Sequence, residues 1–147
     1  MRPIFLMTFS ALLSACATEA QHGGEAPTAT LADGTGKAIG SVVVVEDRPG
    51  HAMLELSAGG LTTGEHGVHL HAVGRCDGPD FKSAGAHWNP ANRKHGLASP
   101  EGAHMGDLPN LEVGADGKTT ATLHVGDGPL ADADGTSLVI HASPTTI

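Results

Sequence analysis

The sequence is poor in aromatic residues, with no tyrosine, one tryptophan and three phenylalanines among its 147 residues. Two of the phenylalanines precede residue 10, so a chain that lost its first residues would keep only Phe81 and Trp88. A small domain with so few large apolar side chains usually depends on a metal ion or a disulfide for stability. The composition therefore predicts a lean core that needs such support.

Cysteine is equally scarce, since Cys16 and Cys76 are the only two. Cys16 ends the run Leu-Ser-Ala-Cys, in which small residues precede a cysteine as they do in a lipoprotein signal. If Cys16 is acylated after cleavage, Cys76 is left alone in an oxidising compartment. The cysteines then supply no disulfide within the chain.

No apolar run is long enough to span a bilayer, because the longest, residues 4–13, is too short. With Arg2 before it, this run is typical of a targeting segment. We predict a lipoprotein signal peptide at residues 1–15 and a lipid on Cys16; a plain secretory signal cleaved nearby is the alternative. Both predict export to the periplasm or cell envelope, with membrane contact only through the lipid.

Residues 16–36 contain mainly Ala, Thr, Gly and Glu, with almost no large apolar side chain. Such a segment buries too little surface to offset the entropy of ordering, so it predicts a flexible tether. The remaining residues, 37–147, suit one domain.

Basic residues are few, eight against sixteen acidic residues, for a net charge of −8. Loss of Arg2 with the signal would leave seven basic residues and a net charge of −9. The sequence has no basic patch of the kind that nucleic acid requires. Four of those seven basic residues do lie within residues 65–110, where they would make the surface less negative for an anionic substrate. They are Arg75, Lys82, Arg93 and Lys94.

A convincing helical period is also absent, whereas short apolar segments and 21 glycines are present. Residues 39–46 and 53–56 predict strands around a turn at 47–50, and residues 112–114 and 119–125 flank a second turn at 115–118. Residues 137–142 predict a last strand that ends near His141. Short strands at this spacing favour an all-β sandwich or barrel.

Six of the ten histidines fall within residues 65–110. Residues 67–71, Gly-Val-His-Leu-His, alternate as a strand does, so His69 and His71 share a face about 6.6–6.8 Å apart at Cα. Val68 and Leu70 then point into a core. The rest of the stretch is rich in Gly, Pro, Ser and Asn and predicts a long loop, which a metal would order.

The loop carries His87, His95, His104 and Asp107, at spacings of eight, nine and three. Three imidazoles and one carboxylate suit tetrahedral zinc. A His-x-His strand pair with two further imidazoles suits tetragonal copper. A lone histidine is usually a bystander, but this grouping predicts a metal site, and the spacing leaves the choice of metal open.

The segments GVHLHAVGRC, SAGAHWNP, RKHG and HMGDLPN, followed by VIHA, resemble the copper–zinc superoxide dismutase family in its bacterial form. The resemblance runs from about Lys37 to about Pro144 and implies a flattened Greek-key barrel. It implies that superoxide is the substrate, converted to dioxygen and hydrogen peroxide, with copper and zinc as cofactors.

The resemblance also assigns the ligands by position. The implied copper ligands are His69, His71, His87 and His141. The implied zinc ligands are His87, His95, His104 and Asp107. His87 would thus be the catalytic bridge between the metals. The family pattern leaves four histidines as surface or supporting residues: His22, His51, His66 and His124.

The last residues depart from the family pattern. After the copper-ligand strand the family continues with Asp-Asp, a charged loop and a glycine-rich segment. That segment holds an arginine that orients superoxide, the partner of the cysteine at the Cys76 position, and the final strand. Here the sequence is Pro-Thr-Thr-Ile, which loss of one nucleotide from codons for Pro-Asp-Asp-Tyr would produce.

We therefore expect a barrel that lacks its last strand. An alternative to the enzyme is an envelope lipoprotein that binds copper or zinc with little turnover. A third possibility, if the last residues arise from loss of a nucleotide, is a protein product that never folds stably.

Overall fold

The structure, a computed structural model, describes residues 26–126, 128, 130 and 135–145. The predicted signal peptide at 1–15, the predicted lipid on Cys16, and His22 lie outside these residues. No helix within them is long and apolar enough to cross a membrane.

Eight β-strands and one short 3-10 helix make up the regular structure of the described residues. The strands are β1 (Thr28–Ala32), β2 (Ala38–Arg48), β3 (His51–Ala58), β4 (Gly64–His66), β5 (Val68–His71), β6 (Leu111–Val113), β7 (Thr119–His124) and β8 (Ser137–Ile140). The 3-10 helix is Lys82–Ala84. The prediction of an all-β fold is confirmed for this part of the chain.

The largest sheet has the antiparallel order β1-β2-β3-β7. Burial alternates along β3, where Ala52, Leu54, Leu56 and Ala58 are buried and the residues between them face outward. This alternation follows from the two-residue period of a strand. Between β2 and β3 the register shifts between Glu46 and Arg48, which places a bulge at Asp47.

The other strands form two antiparallel pairs, β4 with β6 and β5 with β8. In the second pair Val68 lies opposite Ile140 and His71 opposite Ser137. The segments on either side of the turn at 115–118 therefore belong to different sheets, since β6 pairs with β4 and β7 with β3.

A single apolar cluster joins the large sheet to β5, β6 and the long loop. As predicted, Val68 and Leu70 are buried, at 0% and 3% exposure. The cluster consists of Val42, Ala52, Leu54, Leu56, Ala58, Val68, Leu70, Trp88, Leu108, Leu111, Leu123 and Val125. The loop thus contributes Trp88 and Leu108 to the core, which fixes its position against β5.

The structure differs from the predicted tether at residues 16–36. Five of these residues, Thr28–Ala32, form β1 and pair with β2, with Thr28 opposite Val43 and Leu31 opposite Gly40. For β1 the tether prediction is wrong, because backbone pairing with β2 orders a segment whose side chains are mostly exposed. Tertiary context overrides composition at such an edge strand.

Candidate metal centre

Three backbone hydrogen bonds bring the long loop onto β5. Leu70 N donates to Gly106 O (2.9 Å), Trp88 N donates to Leu70 O (2.8 Å) and Gly106 N donates to Trp88 O (2.9 Å). A Cβ at Gly106 would collide with Leu70 O, so only glycine permits this approach. The three bonds bring the segments that hold His69, His87 and Asp107 together.

Isolated β-bridges complete this arrangement, with His69 opposite Asp107 and His71 opposite His87. His141 follows β8 directly, and its N–H donates to Gly67 O at 2.8 Å. Residues far apart in the sequence therefore meet at β5 through backbone pairing.

A first group of four imidazoles lies at this meeting point: His69, His71, His87 and His141. Each offers a ligand nitrogen, and the four nitrogens lie within 4.8 Å of one another. The ring centroids of His71 and His141 are 5.7 Å apart and those of His69 and His141 4.9 Å apart. The four predicted copper ligands are thus brought together.

Hydrogen bonds direct the free nitrogens of this group inward. His71 Nδ1 donates to Gly85 O at 2.9 Å, which leaves Nε2 as the nitrogen with a lone pair. His71 Nε2, His69 Nδ1 and His141 Nε2 are buried and have no hydrogen-bond partner among the described residues. A buried polar atom without a partner costs about 1–3 kcal/mol. Their convergence fits a bound transition metal, for which neutral imidazole is the usual ligand.

A second group forms around Asp107, which is 6% exposed. Its Oδ1 lies 3.3 Å from His87 Nδ1, 3.0 Å from His95 Nδ1 and 3.4 Å from His104 Nδ1. Its Oδ2 instead accepts hydrogen bonds from the N–H groups of Gly96 (2.8 Å) and His104 (3.1 Å). One oxygen is therefore anchored by the backbone, and the other faces three imidazoles in a donor set suited to zinc.

The two groups overlap more than the sequence predicts. Ligand atoms of His69, His87, His95 and Asp107 lie within 4.8 Å of one another, so His69 belongs to both groups with His87. His104 Nδ1 is buried and has no hydrogen-bond partner in the described part of the chain. The three predicted zinc-ligand imidazoles thus adjoin Asp107 Oδ1. His69 lies beside them, at a ring centroid distance of 3.9 Å from His87.

The environment favours the neutral form of His69, His87 and His141 and the charged form of Asp107. Burial, together with the neighbouring imidazoles, lowers the pKa of His69 to about 3. Burial and then His71 also lower the pKa of His87 and of His141. Burial alone would raise the pKa of Asp107, but the N–H groups of Gly96 and His104 and the imidazoles of His104 and His95 hold it below its usual value. Neutral imidazole and ionised carboxylate are the forms that bind metal.

The basic residues of the loop do not form a free positive surface. Arg75 pairs with Asp77, Lys82 with Asp80 and Lys94 with Glu101, at 2.6, 2.6 and 2.7 Å. Arg93 Nη1 donates to the backbone oxygen of Glu101. The less negative surface predicted for an anionic substrate is thus largely offset by neighbouring carboxylates.

One of the four histidines outside the predicted ligand sets connects two segments of the chain. His66 is 4% exposed; its Nδ1 lies 2.7 Å from His141 O and its Nε2 2.8 Å from Thr62 O. It therefore joins the start of β4 to the residue that follows β8. Its only sequence signal was its place one residue before the strand that carries His69 and His71.

These strands and side chains define an all-β protein with an imidazole-rich centre suited to two transition-metal ions. Residues 38–147 match the family model described as copper/zinc superoxide dismutase (SODC). The chain belongs to the copper/zinc superoxide dismutase family.

Relatives support this membership. The chain is 45% identical to a superoxide dismutase [Cu-Zn] from Caulobacter vibrioides, over 80% of this chain and 72% of that protein. It is 40% identical to the superoxide dismutase-like protein YojM from Bacillus subtilis, over 76% of this chain but only 61% of the relative. A crystal structure of a mutant SOD-like protein from Bacillus subtilis superposes with a TM-score of 0.75 at 39% identity, covering 80% of this chain and 83% of that chain.

Proposed function

We propose that the protein is a superoxide dismutase that converts two superoxide anions and two protons to dioxygen and hydrogen peroxide. The observation that carries the proposal is the group of four imidazoles with buried, unpartnered nitrogens next to a second group around Asp107. A protein that only stores copper does not need an imidazole shared between two adjacent groups.

In this proposal His69, His71, His87 and His141 hold copper, and His87, His95, His104 and Asp107 hold zinc. Copper would supply the one-electron redox change that lets superoxide be oxidised in one half-reaction and reduced in the other, and zinc would supply a fixed positive charge. Gly85 O orients His71 and the backbone N–H groups of Gly96 and His104 orient Asp107, as supporting residues do around metal ligands.

Two imidazoles, His69 and His87, belong to both groups, and His87 has the central role because its Nδ1 also lies 3.3 Å from Asp107 Oδ1. Its Nδ1 faces Asp107, so Nε2 is the nitrogen left for the first group. We infer that Nε2 holds a proton in one half of the cycle and releases it to the product in the other. Burial, which lowers the pKa of His87, favours that release.

The test is superoxide turnover on protein of measured copper and zinc content, compared with His87→Gln. The wild-type chain is expected to turn over in proportion to its copper content, and His87→Gln is expected to keep some copper and lose turnover. Full turnover in His87→Gln would contradict the role of His87.

A second candidate is an envelope protein that binds copper or zinc with little turnover. The matched relative from Bacillus subtilis is named only superoxide dismutase-like, and the match spans 61% of it. Protein loaded with both metals but without turnover would favour this candidate. We also propose that these strands belong to a Greek-key barrel, of which the structure describes one four-stranded sheet and two strand pairs.

We propose further that the protein is exported and lipid-anchored through Cys16. Replacing this residue, Cys16→Ser, is expected to release the protein from the membrane fraction or to block processing, because the acylated side chain is lost. Unchanged membrane association would contradict the anchor. Cys76→Ser is the matched control, since that cysteine is exposed and free within the folded part.

A further inference from the structure

A pair of histidines that belongs to neither group described above lies on the outer face of the large sheet. His124 lies opposite Met53 in the pairing of β3 and β7, and His51 is two residues before Met53 on the same face. Diagonal neighbours of this kind are about 7–8 Å apart, within reach of long side chains. The ring centroids of His51 and His124 are 5.9 Å apart.

This separation matches that of imidazoles in the inner groups. His71 and His141 are 5.7 Å apart, His69 and His71 6.3 Å, and His87 and His141 6.3 Å, measured between ring centroids. Two imidazoles at such a distance can place one nitrogen each on a shared ion.

A carboxylate orients one of the two rings. The bulge at Asp47 directs its side chain back over the hairpin, as bulges often do. Asp47 Oδ1 then lies 2.6 Å from His51 Nδ1, while Oδ2 lies 3.9 Å from Arg48 Nη1. An ionised carboxylate only accepts, so His51 Nδ1 donates and Nε2 keeps its lone pair. The hydrogen bond from His51 holds the pKa of Asp47 below its usual value.

The ring nitrogens of His124 are available to bind an ion. This residue is exposed, and within residues 26–126, 128, 130 and 135–145 its ring contact with His51 is accompanied by no hydrogen bond to either ring nitrogen. It lines a surface cleft of about 370 Å³ together with His104 and Asp107. Its ring nitrogens are therefore open to solvent at a cleft that the inner groups also border.

We propose that His51 and His124 bind a third divalent transition-metal ion, zinc or copper(II), at the protein surface. Asp47 positions His51 and contributes negative charge, in the arrangement of a carboxylate, a histidine and a metal that is common around protein metal sites. Water completes the coordination, so the site is expected to be weaker and to exchange faster than the inner groups.

The test is the number of zinc ions bound per chain and their affinities, measured by titration with Zn²⁺ alone in the presence of a competing chelator. The wild-type chain is expected to bind one more ion than His51→Gln or His124→Gln. Asp47→Asn is expected to keep this ion with an affinity roughly 10–100-fold lower, the usual cost of losing an orienting partner. Both histidines are on the surface side of the sheet, so these variants are expected to fold.

His22→Gln is the matched control, because the family pattern assigns this histidine no ligand role, and it is expected to bind as the wild-type chain does. Asp107→Ala separates the surface site from the inner zinc site, since it is expected to lose the inner ion and keep the surface ion. The proposal would be overturned if the wild-type chain and His124→Gln bound the same number of zinc ions. It would also be overturned if the third ion were lost in His22→Gln and kept in His51→Gln and His124→Gln.

Discussion

The sheet β1-β2-β3-β7 and the long loop between β5 and β6 are ordered by different forces. In the sheet, six consecutive residues of β3 pair with β7, and alternate side chains enter the core. The loop, residues 72–110, contains only one three-residue 3-10 helix among its regular elements. Its long-range contacts converge on Gly106 and Asp107.

The difference shows where each region obtains its stability. Backbone pairing and apolar burial need no ion, so the sheet is expected to be stable without metal. The loop instead gathers imidazoles and a carboxylate, several of whose polar atoms have no partner among the described residues. Metal binding to such a site is coupled to folding, so the loop is expected to depend on it.

The largest effect is expected from the sheet core. Leu54 is 2% exposed, and Leu54→Ala should lower the free energy of unfolding by about 2–5 kcal/mol through lost burial and a cavity. Urea unfolding should show the same loss with and without zinc. Leu97→Ala, at an exposed loop residue, is the control and should change the free energy by less than about 0.5 kcal/mol. A loss for Leu54→Ala that appears only with zinc would contradict the independence of the sheet.

Asp107→Ala tests the loop, where the effect on stability is expected to depend on zinc. It removes the carboxylate from the zinc group and leaves the N–H groups of Gly96 and His104 without their acceptor. Zinc content should fall, and the rise in melting temperature that zinc produces in the wild-type chain should disappear. Some copper should remain on the imidazoles of the first group.

Asp116→Ala is the matched control for this change, because Asp116 only accepts a hydrogen bond in the exposed turn after β6. Zinc content measured by mass spectrometry and melting temperature measured by thermal unfolding are compared between the two variants. If zinc content and melting are both unchanged in Asp107→Ala, the assignment of this residue to zinc is wrong.

Acid unfolding of the metal-free protein tests the burial of His69, which lies on β5 next to the loop. His69 has a folded-state pKa of about 3, against an ordinary value of 6.5. The unfolded chain therefore takes up this proton first as the pH falls, and stability present above pH 6.5 is lost progressively toward pH 3. For this residue alone the loss is about 2 kcal/mol between about pH 7 and pH 5.

Denaturant unfolding of the metal-free protein at several pH values in this range measures how steeply the free energy of unfolding falls with pH. His69→Gln should flatten this slope, because the buried imidazole whose pKa is lowered is then absent. An equal slope in His69→Gln and the wild-type chain would show that burial of this imidazole does not set the acid sensitivity.

The smallest effect is expected at His66, which connects the segment before β4 with the residue that follows β8. His66→Leu removes the contacts of the ring nitrogens with Thr62 O and His141 O, and the loss of a hydrogen bond costs about 0.5–1.5 kcal/mol. Because His66 positions the backbone of His141, copper affinity should also fall. Thr62→Val, which removes only the hydroxyl contact to His66, should retain most of the affinity.

Much of this architecture could be predicted from local sequence. The alternation of Val68, His69, Leu70 and His71 predicts a strand with histidines on one face, because side chains on a strand alternate. The turns and short apolar segments predict an all-β fold for the same reason. The histidines of residues 65–110 and Asp107 predict a metal site because few residue types bind transition metals, whereas the role of His141 and the division into copper and zinc ligands came from the resemblance to the family.

The tertiary structure alone decided how these residues meet. No local pattern shows that β1 pairs with β2, that β6 and β7 join different sheets, or that His66 contacts His141 O. The proximity of His51 and His124 likewise depends on the register of β3 and β7. Each depends on backbone hydrogen bonds between distant segments, whose partners are selected by the packing of the whole core, so only the folded chain places them.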